Sequence, residues 1–385
     1  MITARRLEPV VYDIEQTEFA QQLQHAIKMR DDLSATTNKQ QQPQASTTPC
    51  SSPSSRWLKS IISDVSEEDL STFFDNHLHV LPFVYKLHVA PRQYDQEYFG
   101  LDGEYTQEIT SVHNQAQEFW SDSGVHDEIY LLSAHGSDLA DRHGKLVPTL
   151  ELLFRNTYDS DYTVYDHAAD IQELITRLPG GYNFPLLTFN AFATDEMDDE
   201  EDDSSIIIGD GYFQFQQALG MDSEGPEYAH AHEFSHHLQF LLGVSDGTQS
   251  GIAQVAKKSE LLADAFSAYF LAHDQGGNMV SDEISNVHSV AFSLGDCVKS
   301  SAGHHGTPIQ RRCATVWGAE LADDTEGMDK IDLFEFQNRF DTWYETVDDL
   351  NDSCQHLHSA AASRSYRILS LQVITFLVGG FSVLL

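Results

Sequence analysis

Apolar residues in the first half of the chain recur every three or four positions. Trp57, Leu58, Ile61, Ile62 and Val65 form one such stripe, and residues 107–120 and 167–178 repeat it. Pro179-Gly180-Gly181 ends the last of these segments. Residues 57–180 are therefore predicted to be mainly helical. The period then changes. Residues 184–193 (FPLLTFNAFA) and 206–215 (IIIGDGYFQF) are dense in branched and aromatic side chains and predict two β-strands. Two more helices are expected beyond them, over residues 228–243 with Gly243 as a natural stop, and over residues 259–270. No repeat of solenoid length is present. The pattern predicts a helix-rich N-terminal part, then two strands and further helices, the element content of an α+β fold.

Both ends depart from this patterning. Ser34 to Arg56 is rich in Gln, Ser, Thr and Pro and cannot bury enough apolar surface to offset chain entropy. Residues 1–56 are read as a low-complexity segment, with a polar helix conceivable over 11–33 and the fold beginning near Trp57. The first residues show no apolar core of a signal peptide. Residues 368–385 (ILSLQVITFLVGGFSVLL), in contrast, are uncharged and mostly apolar. As a helix they would span about 27 Å, close to a bilayer's hydrocarbon thickness. Small residues Ser359, Ala360 and Ala361, followed by a polar stretch through Arg367, have the layout of a GPI-attachment signal. A C-terminal tail anchor or a buried terminal helix accounts for the same residues. Membrane association through this tail is the expectation, as a tail anchor or as a GPI-anchored cell-surface protein.

Charge narrows the choice of partners. With 22 Lys+Arg against 60 Asp+Glu, the formal net charge is −38. A chain this acidic is repelled by phosphate backbones, so no nucleic-acid partner is expected. Residues 195–203 (DEMDDEEDD) concentrate the acid and read as a solvated loop; the alternating ligands and central Gly of an EF-hand are missing. Cysteine occurs at positions 50, 297, 313 and 354, with no CxxC pair. Cys297 with Cys313 is the disulfide to test first, against the alternative of separate reduced thiols.

The chemistry is concentrated after the two strands. In Tyr228-Ala229-His230-Ala231-His232-Glu233-Phe234-Ser235-His236-His237, the residues His232, Glu233 and His236 form H-E-x-x-H. On a helix, positions i and i+4 share a face, so both imidazoles can reach one metal ion, with Glu233 beside it as general base. His230 and His237 are expected bystanders, as are His77, His79, His113 and His135. Asp138, Asp141 and His143 form a small cluster that loop polarity explains equally well. The discriminating feature is the next helix, where Glu260 and Asp264 share a face amid Leu261, Leu262, Ala263 and Ala265. Two carboxylates in so apolar a helix would be costly to bury unpaired. A cation resolves the conflict: Glu260 becomes the third ligand, and Asp264 accepts the second N–H of a ligating histidine. Three protein ligands leave a fourth position for water, the mark of a catalytic zinc site.

These residues resemble the gluzincins, zinc peptidases with two His from H-E-x-x-H and a Glu from a following helix. More narrowly, three ordered blocks resemble the bacterial neutral zinc metallopeptidase family: HEFSHHLQFLLG (232–243), ELLADAFSAYF (260–270), and Ser293-Leu294-Gly295-Asp296 with His305-Gly306-Thr307-Pro308-Ile309-Gln310-Arg311. The resemblance covers roughly residues 185–320. It implies an α+β, zincin-like metallopeptidase fold with a small mixed sheet and an edge strand over the active-site helix, the 206–215 strand lying along the cleft and pairing with an extended peptide. It implies one catalytic Zn2+ on His232, His236 and Glu260, and peptide or protein substrates. Hydrolysis would proceed by a zinc-activated water with Glu233 as general base. His305 is the first candidate for the oxyanion donor, equally readable as a structural histidine in a turn, with His304 and Tyr269 behind it. The chain then divides into the 1–56 segment, a helical part over 57–180, a catalytic core over 181–345, a polar linker over 346–367 and the tail over 368–385.

Overall fold

A computed structural model of the chain describes residues 52–91, 97–125, 129–154, 158, 161–194, 204–244, 253–296, 304–324, 329–350 and 353–355. The sequence expectations for 1–51, for the acidic run 195–203 and for the apolar tail 368–385 lie outside these residues. Among the described residues, no helix is long and apolar enough to cross a membrane.

The fold is α+β and helix-rich. Helices α1 (Pro53–Ile62), α2 (Glu67–Asp75), α3 (Leu81–Val84), α4 (Thr106–Trp120), α5 (Val147–Phe154) and α6 (Val164–Arg177) are joined by strand β1 (Tyr130–Ala134), which falls between α4 and α5. Strands β2 (Ala191–Thr194) and β3 (Ser205–Gly209) come next. They are followed by α7 (Asp210–Ala218), α8 (Gly225–Leu241), α9 (Ala253–Ala272), α10 (Ser281–Leu294), α11 (Pro308–Asp324) and α12 (Leu333–Tyr344). The three strands form one mixed sheet in the order β1-β3-β2. β1 runs parallel to β3 with Tyr130 opposite Ser205, and β2 runs antiparallel to it with Ala191 opposite Ile208. β3 is the central strand and is buried along its whole length.

Several expectations are corrected here. The strand expected over 206–215 stops at Gly209, and Asp210 begins α7. A Cβ on Gly209 would lie 2.0 Å from the Thr188 carbonyl oxygen, so only glycine lets the chain press onto that backbone and turn. The segment 184–193 opens with a 3-10 turn at Pro185–Leu187 and becomes strand only at Ala191. The mainly helical region 57–180 contains β1, whose apolar run Tyr130-Leu131-Leu132 is too short for its period to separate strand from helix. The fold also begins earlier than Trp57: the Ser52 hydroxyl accepts the Ser55 N–H (3.1 Å) and caps α1, with Pro53 at its first position. Finally, Cys313 pairs with Cys354 rather than with Cys297, which lies outside the described residues. After α12 the chain turns back at Val347–Asp349, where Asp348 accepts hydrogen bonds from Lys257 (2.9 Å) and Gln310 (2.8 Å). That return brings Cys354 onto α11.

One buried core runs from Trp57 to Val347 and joins the N-terminal helices to the sheet and to α8–α12. The Trp57 ring sits 4.9 Å from that of Phe189 and 5.2 Å from that of Phe215. α11 lies close against α9, since a Cβ on Gly318 would meet the Ala265 carbonyl oxygen at 2.1 Å. Two turns earlier on α11, the same approach places Arg311 against Asp264.

Candidate metal centre

α8 is a central helix, packed between α9, α4 and β2, and nearly every residue from Gly225 to Gln239 is buried. Its end is set as the sequence suggested. Gly243 adopts φ +65°, and the Val244 N–H donates back to the Gln239 carbonyl (2.9 Å), a left-handed C-terminal stop. Along α8, His232 and His236 rise on one face, and Glu260 reaches them from α9. His232 Nε2 lies 3.2 Å from Glu260 Oε2, and His236 Nε2 lies 3.7 Å from Glu260 Oε1. Among the described residues, this is the group of His, Cys, Asp and Glu whose donor atoms converge as a metal site requires, all within 4.8 Å of one another. Two ligands at tetrahedral positions around a zinc ion are about 3.3 Å apart, so the spacing fits an ion of that size. Glu233 is buried on the same helix, next in sequence to His232.

The second nitrogen of each imidazole is also directed. His232 Nδ1 lies 3.0 Å from Asp264 Oδ1, the arrangement read from the i, i+4 spacing of Glu260 and Asp264. Asp264 is completely buried and held from three further directions. Arg311 Nε donates to Oδ2 (2.9 Å), Arg311 Nη2 donates to Oδ1 (2.8 Å), and the Tyr228 hydroxyl donates to Oδ1. Burial alone raises the Asp264 pKa, but the Arg311 charge and the hydrogen bonds of His232 and Arg311 outweigh it and hold the carboxylate ionised. Burial pushes His232 down, yet Asp264 and Glu260 bring it up to about 10, so without a metal this imidazole carries a proton. A cation held on Nε2 would take the place of that proton charge. His236 Nδ1 faces Gln239 Oε1 at 3.2 Å.

Sequence reasoning assigned no role to Tyr228, Gln239 or Arg311, although all three stand in the quoted blocks. Tyr228 is four residues before His232 and so shares its face, a signal that was available. Arg311 is 47 residues from Asp264 in sequence and meets it only through the α9–α11 contact.

The third block also reaches the site. Asp296 accepts the His305 N–H (2.8 Å) on one oxygen and faces His304 Nδ1 (2.7 Å) with the other, while its own N–H donates to the Gly306 carbonyl (2.9 Å). This loop sets His305 Nδ1 3.3 Å from Glu260 Oε1. His304 is turned towards Asp296. Tyr269, the remaining oxyanion candidate, accepts the Ile331 N–H (2.9 Å) within the aromatic core around Phe336. The strand expected to edge the cleft, β3, has a neighbour on both sides; among the described residues β1 and β2 are the edge strands of the sheet, and of these β2 packs on α8.

Of the expected bystanders, His79, His113, His135, His230 and His237 are buried and His77 is half-buried. His230 Nε2 contacts His113 Nδ1 (2.9 Å), and His237 Nε2 donates to the Ser205 carbonyl (3.2 Å), both behind the metal face. Asp138 pairs with Lys145 (2.5 Å). A second constellation imitates a hydrolase triad: Ser133 Oγ is 2.8 Å from His135 Nε2, and His135 Nδ1 is 2.9 Å from Asp210 Oδ1. Ser133 Oγ, however, also donates to Glu97 Oε2 (2.8 Å), a carboxylate that can only accept, so its proton is not held for His135. Only 1% of Ser133 is exposed, so it is a buried tie and not a nucleophile.

No family model, no curated protein and no solved structure matches the chain.

Proposed function

We propose that this protein is a zinc-dependent metalloendopeptidase of zincin-like fold. The observation that carries the reading is the convergence of His232 Nε2, His236 Nε2 and the Glu260 carboxylate beside the buried Glu233. Two imidazoles and one carboxylate are the donor set of catalytic zinc sites, and three ligands leave one position open. When bound, the ion supplies Lewis acidity to the scissile carbonyl and acidifies the attacking water.

The chain's own residues do the rest. Asp264 orients His232 so that Nε2 faces the ion; Arg311 keeps it ionised for that task, and the Tyr228 hydroxyl helps to fix its place. Glu233 accepts the proton of the attacking water and passes it to the leaving amine. His305, delivered by Asp296, braces Glu260 and is the residue assigned to meet the developing oxyanion. An extended peptide runs along the β2 edge, donating and accepting main-chain hydrogen bonds. The apolar tail at 368–385 attaches the protein to a membrane, and the Cys313–Cys354 bridge suits an oxidising compartment.

The test measures zinc content and cleavage of an unfolded protein by the full-length chain and its Glu233→Gln variant. One zinc in both, with cleavage only by wild type, supports the assignment. Zinc in both without cleavage by either favours a binding module that keeps the metal site. A wild-type protein without zinc overturns the reading. Detergent-phase partitioning of the chain with and without residues 368–385 tests the membrane attachment separately, and equal partitioning rejects it.

A further inference from the structure

The ligating histidines differ in what holds their second nitrogen. His232 is held by a carboxylate, which can only accept. His236 is held by the amide of Gln239, which presents a donor at one atom and an acceptor at the other. Which of them faces the imidazole decides the tautomer. Gln239 and Ser259 are both about 1% exposed, so no solvent takes part.

We propose that the backbone carbonyl of Ser259, acting through Gln239, is a tautomer lock for His236. The Ser259 carbonyl can only accept a hydrogen bond, and it lies 2.8 Å from Gln239 Nε2. The amide nitrogen must therefore point to Ser259, which turns Oε1 towards His236 Nδ1 at 3.2 Å. The Ser259 hydroxyl donates to the same Oε1 (2.6 Å) and reinforces the orientation. An acceptor at this place requires Nδ1–H, so in the neutral ring the lone pair is on Nε2, the nitrogen directed at Glu260. Ser259 immediately precedes Glu260. One peptide unit of α9 thus carries the third candidate ligand and, through Gln239, selects the binding nitrogen of the second. Gln239 is a positioning residue. It lies one turn beyond His236 on α8, so it moves with the imidazole it governs.

The experiment uses full-length protein labelled with 15N histidine, stripped of metal by chelator at mildly alkaline pH, with His236 assigned from a His236→Gln spectrum. Long-range proton–nitrogen spectra are expected to show wild-type His236 protonated at Nδ1. Gln239→Leu is expected to give mixed tautomers and a roughly 10–100-fold weaker zinc affinity in chelator competition. Ser259→Ala keeps the carbonyl and is expected to retain both the tautomer and an affinity near wild type. Gln239→Glu, with the oxygen that replaces Nε2 protonated and donating to the Ser259 carbonyl, keeps an acceptor facing Nδ1 and is expected to rescue both; it decides the question if the leucine variant does not fold. A wild-type tautomer and affinity in Gln239→Leu overturn the proposal, as does a glutamate variant that behaves like leucine. The affinity readout rests on the metal-centre reading, whereas the tautomer is read in metal-free protein. A wild-type chain that binds no zinc but shows the Nδ1–H form therefore defeats that reading and leaves the lock standing.

Discussion

Helix α8 carries four histidines in two pairs, and the pairs live in opposite electrostatic worlds. His232 and His236 face Glu260 and Asp264. His230 and His237 face His113 and the Ser205 carbonyl on the other side. Burial is similar: His230, His232 and His237 are each 6% exposed or less. Yet His232 rises to about 10, while burial drives His237 down to about 3 and His230 well below its ordinary value. Desolvation acts against the imidazolium on both faces. What reverses it on one face is a pair of carboxylates within hydrogen-bond reach. The apolar back face keeps its imidazoles neutral and uses them as rigid polar ties, and the front face is built to hold positive charge.

The largest expected effect sharpens this contrast on the front face. Glu233→Gln should lower peptide hydrolysis by roughly 10²–10⁴-fold with zinc content unchanged, as measured by turnover and metal analysis on the same preparation. Next comes Asp264→Leu, which removes the carboxylate that holds His232 and leaves Arg311 buried without its partner. Breaking such a pair should cost on the order of 3–5 kcal/mol in chemical denaturation. Zinc affinity should fall about 10–100-fold as well. If affinity falls and stability does not, Arg311 has found another partner and the account of the anchor is wrong.

The back face gives the opposite pH behaviour. His113, against His230, is held at about 4, chiefly by burial, partly offset by a hydrogen bond to the Ile129 backbone. Its folded pKa lies below the unfolded value near 6.5, so in this window the unfolded chain binds the extra proton. The stabilisation is complete above the unfolded value and is lost as pH falls towards and through 4. That amounts to about 3 kcal/mol at most. Unfolding of metal-free protein followed from neutral to acidic pH should show the loss, and His113→Phe/His230→Leu should flatten it. The smallest effect separates the faces directly. His230→Leu alone strands a polar nitrogen of His113 and should cost about 1–3 kcal/mol without altering zinc affinity. A change in affinity would show that the two faces are coupled through the helix.

What could be read from the sequence is what is local to one helix. The i, i+4 pairs His232/His236 and Glu260/Asp264 state their own geometry, and the Gly243 stop follows from a single residue's conformational freedom. What could not be read depends on contacts made elsewhere. The end of β3 is dictated by the Thr188 backbone, the anchor of Asp264 by Arg311 on α11, and the orientation of Gln239 by a carbonyl on α9. β1 was lost for another reason, since a five-residue apolar strand carries too few positions for its period to register. The disulfide partner of Cys313 depends on where the chain returns after α12, which spacing along the sequence does not encode.

That disulfide has a consequence for how the molecule withstands being cut. Cys313 and Cys354 are 41 positions apart, and the loop they close contains the rest of α11, all of α12 and the Asp348 contact to Lys257 and Gln310. A single peptide-bond break anywhere between the two cysteines yields pieces that remain one covalent molecule. Such a nick separates two bands on a reducing gel and leaves one on a non-reducing gel, and the turn bearing Asp348 stays tethered to α11 while the bridge is intact.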